Sequence, residues 1–277
     1  MGKKELILAL ADIISPINKL LSEKSDLNLD GLIGGAFKKI NDKGILDGLY
    51  KLVRTSNIGV SGYKKSSFEF VSIEDPSPEL DFKEIFEKYF FPRLDGDRKR
   101  SDGFSKIFEE LLKIESRPVI LETGCMRVPG NWDGDGQSTF MFDVFCQKRN
   151  GFFISIDVNT ESIDTARKAC SDNTILILGD SVSALRQLSQ LMPGLKADLI
   201  YLDSFDVDAN NPMPSAIHHS LEMIAVSPMV KSGTIICVDD YRVRGIEGGK
   251  GLIVDQFMQT INAEVIHDAY QKAWRMP

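Results

Sequence analysis

Histidine, tryptophan and cysteine are scarce in this 277-residue chain, at three, two and four copies. The cysteines, Cys125, Cys146, Cys170 and Cys237, stand far apart with no C-x-x-C pair. Three of them sit inside apolar runs, so neither a zinc site nor a disulfide framework is built from them. The few histidines give no Ser-His-Asp or Cys-His arrangement that spacing can defend. Positive charge is also short. A formal net charge of −7 excludes a protein whose main partner is a nucleic-acid backbone. The one basic run, DRKRSDGFSK at 97–106, is diluted by Asp97 and Asp102 and reads as a solvated loop. No membrane anchor is visible. The opening MGKKELILALADII sets two lysines before an apolar stretch, as a signal peptide does, but Glu5 and Asp12 interrupt it. Leu6, Ile7, Leu10, Ile13 and Ile14 recur at helical spacing, so an amphipathic helix and a cytoplasmic location are expected.

Hydrophobic residues make up 43% of the chain, enough for a sizeable core. Two textures follow one another. Residues 1–115 read as helices separated by Gly, Pro and Asp, with KELILALADIISPINKLLSEK, LDGLIGGAFKKINDKGILDGLYKLVR, DFKEIFEKYFFPRL and DGFSKIFEELLKIES as the helical stretches. SFEFVSIEDPSPEL among them is a short β-prone run. The glycines of GLIGGAF follow no strand and read as a packing or turn feature. This region carries no motif, and covering a cleft, binding an acceptor and building a homo-oligomer interface all stay open for it.

From 116 to 277 the runs become short and β-branched. PVILETG, GFFISIDVN, NTILILGD, ADLIYLDS and GTIICVDD have the character of strands buried on both faces of a parallel sheet. The stretches between them carry helical periodicity, giving an α/β, Rossmann-like sheet with helices on both faces. The terminal AEVIHDAY and KAWRMP pieces suggest an antiparallel hairpin at the edge.

Ligands of open α/β sheets collect outside the carboxyl ends of the strands, and here those ends are acidic. They carry Glu122 with Gly124, then Asp157, Asp180 with Ser181, Asp203, and the adjacent pair Asp239 and Asp240. Neighbouring carboxylates repel, so the last pair calls for a compensating cation. An acid 21 residues after Gly136 suits a ribose diol in either of two cofactors. A nicotinamide dehydrogenase needs a compact G-x-G-x-x-G, which ETGCMRVPGNWDGDGQST lacks, and the acidic rim would repel a pyrophosphate. A cationic cofactor suits the rim better.

The series ETG, ISIDVN, LGDS, LIYLDS and ICVDDY resembles the class I S-adenosylmethionine-dependent methyltransferases over about 116–277. LDSFDVD followed 36 residues after Asp203 by DDY resembles the metal-dependent macrocin- and mycinamicin-type O-methyltransferases and the cephalosporin-hydroxylase-like group. The resemblance implies a seven-stranded sheet with the last strand antiparallel. It implies magnesium or another divalent cation on Asp203, Asp239 and Asp240, oxygen ligands of the kind such an ion prefers. It further implies Glu122 and Gly124 at the methionine end of S-adenosylmethionine, Asp157 on the ribose, and Asp180 with Ser181 at the adenine. The acceptor would be a hydroxyl of a small molecule or sugar, its proton taken by Asp206 or by His218 on the helix SAIHHSLEMI. His219 cannot share its neighbour's face, and His267 reads as structural. Trp132 is expected either over the sulfonium or substrate, or on the solvent side of its loop. The loop YRVRGIEGGKGL, with Arg242, Arg244 and Lys250, reads either as a basic mouth for an acidic substrate or as a simple turn. A protein that keeps the cofactor fold without catalysis is the non-enzyme alternative.

Overall fold

The structure is a computed structural model and describes residues 80–243, 245, 246 and 248–277. The helices expected before residue 80, the GLIGGAF glycines and all but the last residue of SFEFVSIEDPSPEL lie outside the described residues, as does Arg244.

The first described element, α1, runs over 82–94. Asp81 opens it with a capping box: its side chain accepts from the Glu84 amide while Glu84 accepts from its own, so two otherwise unpaired N–H groups are satisfied. A widened turn at Phe86–Phe90 precedes Pro92. Helix α2, Arg100–Leu112, follows. Then come β1 (Val119–Thr123), α3 (Ser138–Arg149), β2 (Phe152–Asp157), α4 (Thr160–Ala169), β3 (Ile175–Leu178), α5 (Ser181–Leu191) and β4 (Leu199–Leu202). The chain closes with α6 (Met213–Val226), β5 (Ile235–Val238), α7 (Leu252–Thr260), β6 (Glu264–Asp268) and β7 (Lys272–Arg275).

The seven strands lie in the order β3-β2-β1-β4-β5-β7-β6. β1 to β5 are parallel, and β7 is antiparallel to both β5 and β6. This is the Rossmann-like sheet, last strand antiparallel, that the sequence led us to expect. One expectation fails at the margin: β3 is not buried on both faces, because it is an edge strand with one neighbour and its side chains are partly exposed.

Alternation along the strands sends Ile120, Phe153, Leu199, Tyr201, Ile235 and Cys237 to one face. There they meet an aromatic layer from α1, α2 and α3, in which Phe104 stacks on Tyr201 at 5.7 Å between ring centroids and Phe142 meets Tyr201 edge-on at 5.3 Å. Residues 82–112 therefore share one core with the strands. This packing matters for function, since it fixes the N-terminal turn of α2 beside the carboxyl end of β5.

Candidate active site

The sheet reverses its winding between β1 and β4, and at such a switch point the loops leaving the two strands part and open a crevice. A small crevice, open to solvent, is present there. Gly124 to Arg127 line it from the loop after β1, Asp135 and Ser138 from the entry to α3, Asp157 from the end of β2, and Asp203 with Ser204 from the end of β4.

Gly124 has φ of +86°, and a Cβ there would lie 2.4 Å from the carbonyl oxygen of Asp203, so only glycine lets these two loops approach. Gly134 and Gly136 instead face the side chains of Asn131 and Arg100. Asp157 accepts from the backbone amides of Cys125 at 2.8 Å and Asn159 at 2.7 Å, which ties the β1 loop to the β2 loop. Asp180 caps α5 through the Ser183 amide at 2.8 Å, and that hydrogen bond lowers its pKa.

Glu122 lies one layer beneath the crevice instead of lining it. It is fully buried in β1 and accepts from the hydroxyls of Ser138 at 2.6 Å, Thr139 at 2.8 Å and Ser155 at 2.5 Å, reaching the crevice only through Ser138. Burial raises its pKa to about 7, and the three hydroxyls hold it from going higher.

At the carboxyl ends of β4 and β5 the structure brings Asp203, Asp239 and Asp240 together, and with them two side-chain cations. The Nζ of Lys250 stands 2.5 Å from Asp203 Oδ1, 3.0 Å from Asp240 Oδ2 and 4.0 Å from Asp206 Oδ1. Arg100 meets Asp239 through its Nε at 3.0 Å and a terminal nitrogen at 2.9 Å, and lies 4.8 Å from the centre of the Tyr270 ring. The Tyr270 hydroxyl donates to Asp240. Burial works against the charge on Lys250 and on Arg100, but the carboxylates outweigh it and raise both pKa values. Burial likewise raises Asp240, and Lys250, Tyr270 and Arg100 overcome that to bring it down to about 2. Asp203 is pushed upward by burial, Lys250 opposing and the neighbouring aspartates reinforcing.

A magnesium ion asks for bare oxygens at about 2.0–2.1 Å in an octahedral shell. Here Arg100 occupies Asp239, and Lys250 draws one oxygen each from Asp203 and Asp240, so the donor set as arranged does not fit the ion. Among the described residues no group of three His, Cys, Asp or Glu side chains is disposed to hold a metal.

The remaining candidates fall in different places. Asp206 is exposed at the mouth and paired with Arg127 at 2.7 Å. His218 lies 3.0 Å from the Ser181 hydroxyl and 3.4 Å from Glu222, whose hydrogen bond raises its pKa. His219 is fully buried against the Ser215 carbonyl, and burial lowers it to about 4, so it is neutral near pH 7. Trp132 faces neither the crevice nor open solvent: it is half-buried and stacked on Phe90 of α1 at 5.6 Å.

Arg100 and Tyr270 were not legible as site residues, and Lys250 was read toward a substrate and not toward the carboxylates. Arg100 lies in the run read as a solvated loop, yet it is 4% exposed; Lys250 lies in the loop read as a basic mouth, yet it is completely buried. The signal was indirect: the Asp239-Asp240 pair demanded a cation, and DRKR offered three and GGKG one.

No family model and no curated protein matches the sequence. Among solved structures the chain is similar to CalS11, a calicheamicin methyltransferase, at 12% identity and a TM-score of 0.46, covering 78% of this chain and 98% of that one. It is similar to the MycE methyltransferase from the mycinamycin biosynthetic pathway in complex with Mg and SAH, at 14% identity and a TM-score of 0.49, covering 71% of this chain and 54% of that one. It is also similar to the O-methyltransferase from Bacillus cereus in complex with SAH, at 17% identity and a TM-score of 0.43, covering 73% and 94%. The chain spans about half the length of MycE, and at these identities no residue role passes from one protein to another.

Proposed function

We propose that the chain is an S-adenosylmethionine-dependent methyltransferase acting on a hydroxyl of a small molecule or sugar. One observation carries the reading: Gly124, Asp157 and Asp203, from three strand ends, meet in a single crevice at the switch point of the sheet, walled by carboxylates that suit a cation. Asp157 would hold the ribose diol, Gly124 and Ser138 the methionine end, and Asp180 with Ser181 the adenine. Bound there, S-adenosylmethionine supplies an electrophilic methyl group on a positively charged sulfur. The acceptor oxygen forms its bond to carbon as the carbon–sulfur bond breaks with its electron pair on sulfur, and the hydroxyl proton passes to a carboxylate. We assign that proton to Asp206, which is exposed and stands beside the Lys250 cluster. His218, held between Ser181 and Glu222, is assigned to positioning on the adenine side.

A nicotinamide dinucleotide would bring its pyrophosphate against Asp135, Asp157 and Asp203, with no short glycine turn to receive it. Calorimetric titration of the full chain with S-adenosylmethionine and with NAD separates the readings. Binding of the first alone, weakened at least tenfold by Asp157→Ala, is the expected result. Binding of NAD alone would make it a dehydrogenase-type site, and binding of neither would leave a fold without the cofactor.

A further inference from the structure

We infer that Lys250 is the positioning residue of the acceptor site, its ammonium holding Asp203 and Asp240 where the sequence led us to expect magnesium, so that the site works without a divalent cation. The consequence for catalysis rests on the methyl-transfer reading; the substitution of ammonium for metal does not.

Three carboxylates, Asp203, Asp239 and Asp240, face two cations, Arg100 and Lys250, leaving a formal charge of −1. A dication added to that set would stand within a few ångströms of a fully buried ammonium, a repulsion screened less than in water, and the one further carboxylate beside that ammonium, Asp206, is already paired with Arg127.

The glycines of the loop are what deliver the lysine. Gly248 and Gly249 have φ of +78° and +44°, and a Cβ on Gly249 would come within 1.9 Å of the Asp240 carbonyl oxygen. A Cβ on Gly251 would meet the Tyr241 ring at 2.7 Å. The chain between them can therefore pass directly beneath the end of β5, where the Lys250 amide donates to the Asp240 carbonyl at 3.3 Å and its side chain turns to Asp203. A loop meant only to turn the chain into α7 has no need of this contact.

The Lys250 side chain is 1% exposed, while Asp203 and Asp240 keep 18% and 16% of theirs accessible. The lysine thus acts through the carboxylates, and an acceptor meets oxygens that receive hydrogen bonds. That selects a group with a proton to give, such as a single hydroxyl, and confers no advantage on vicinal oxygens that chelate.

The test uses manganese(II) as the probe, with free ion counted by its electron paramagnetic resonance spectrum, on the full chain and on Lys250→Gln. The wild type is expected to leave the ion free at protein concentrations near 100 μM. The variant, with Asp203 and Asp240 released from their partner, is expected to take up one ion per chain, and Asp203→Asn added to it should abolish the uptake. Stoichiometric binding by the wild type that Asp203→Asn or Asp240→Asn removes would overturn the inference, as would a folded Lys250→Gln chain, verified by circular dichroism, that binds none. If the variant does not fold, the wild-type measurement decides alone. Titration of the same wild-type preparation with S-adenosylhomocysteine separates the two levels: no binding there defeats the methyl-transfer reading and leaves the manganese result standing.

Discussion

Glu122 shows how much one buried carboxyl can shape this protein. Below its ordinary pKa near 4.5 both folded and unfolded chains hold the proton; between there and about 7 only the folded chain does. Folding takes up a proton in that window, so stability falls as pH rises through it and levels above it, by on the order of 3 kcal/mol from this group. Urea midpoints of Glu122→Gln should lack that decline, and an unchanged slope would show that Glu122 is ionised throughout. Arg100 makes the opposite case, since removing it strands Asp239, which is 1% exposed. Arg100→Met should cost about 3–5 kcal/mol by denaturant titration. At this scale the acids could be read from the sequence, Lys250 only as a basic group of the loop at the mouth, and Arg100 not at all. Carboxylates at strand ends announce themselves by position, whereas an arginine or lysine in a polar run looks solvated until tertiary packing supplies its partner.

Elements were legible where periodicity speaks and obscure where packing decides. Every strand from β1 to β7 lies on a stretch the sequence marks out and so do the helices, except that α2 begins at Arg100, inside the run read as a solvated loop, and α6 begins at Met213, two residues before the stretch marked for it. The exposure of β3 could not be seen, because a buried strand and an edge strand share the same apolar run. Nor could the site of Trp132, which depends on α1 coming to rest beside its loop. Two substitutions probe elements here. Asp180→Ala removes the cap of α5 and should cost about 1 kcal/mol, read from a chemical melt. Gly249→Ala forces both a disfavoured backbone angle and a clash with Asp240, and should lower the thermal midpoint more than Gly194→Ala, where a Cβ meets nothing. Equal effects would mean that the glycine loop is not held against β5.

The whole molecule brings its functional groups together through strand order. Asp157 and Asp203 are 46 residues apart, and Arg100 lies 139 residues before Asp239, yet the switch between β1 and β4 and the seating of α2 on the sheet gather all of them at one end. A ligand that binds only this folded arrangement stabilises it by about 2.7 kcal/mol at a hundred times its dissociation constant. S-adenosylhomocysteine should therefore raise the melting temperature in the presence of a chelator as well as without it. The most direct measurement is a crystal structure grown with S-adenosylhomocysteine. The account predicts the nucleoside in the crevice, its ribose hydroxyls on Asp157 and its sulfur toward Asp203, with Lys250 still between Asp203 and Asp240. A nucleoside bound elsewhere, or a crevice closed with the ligand at saturation, would contradict it.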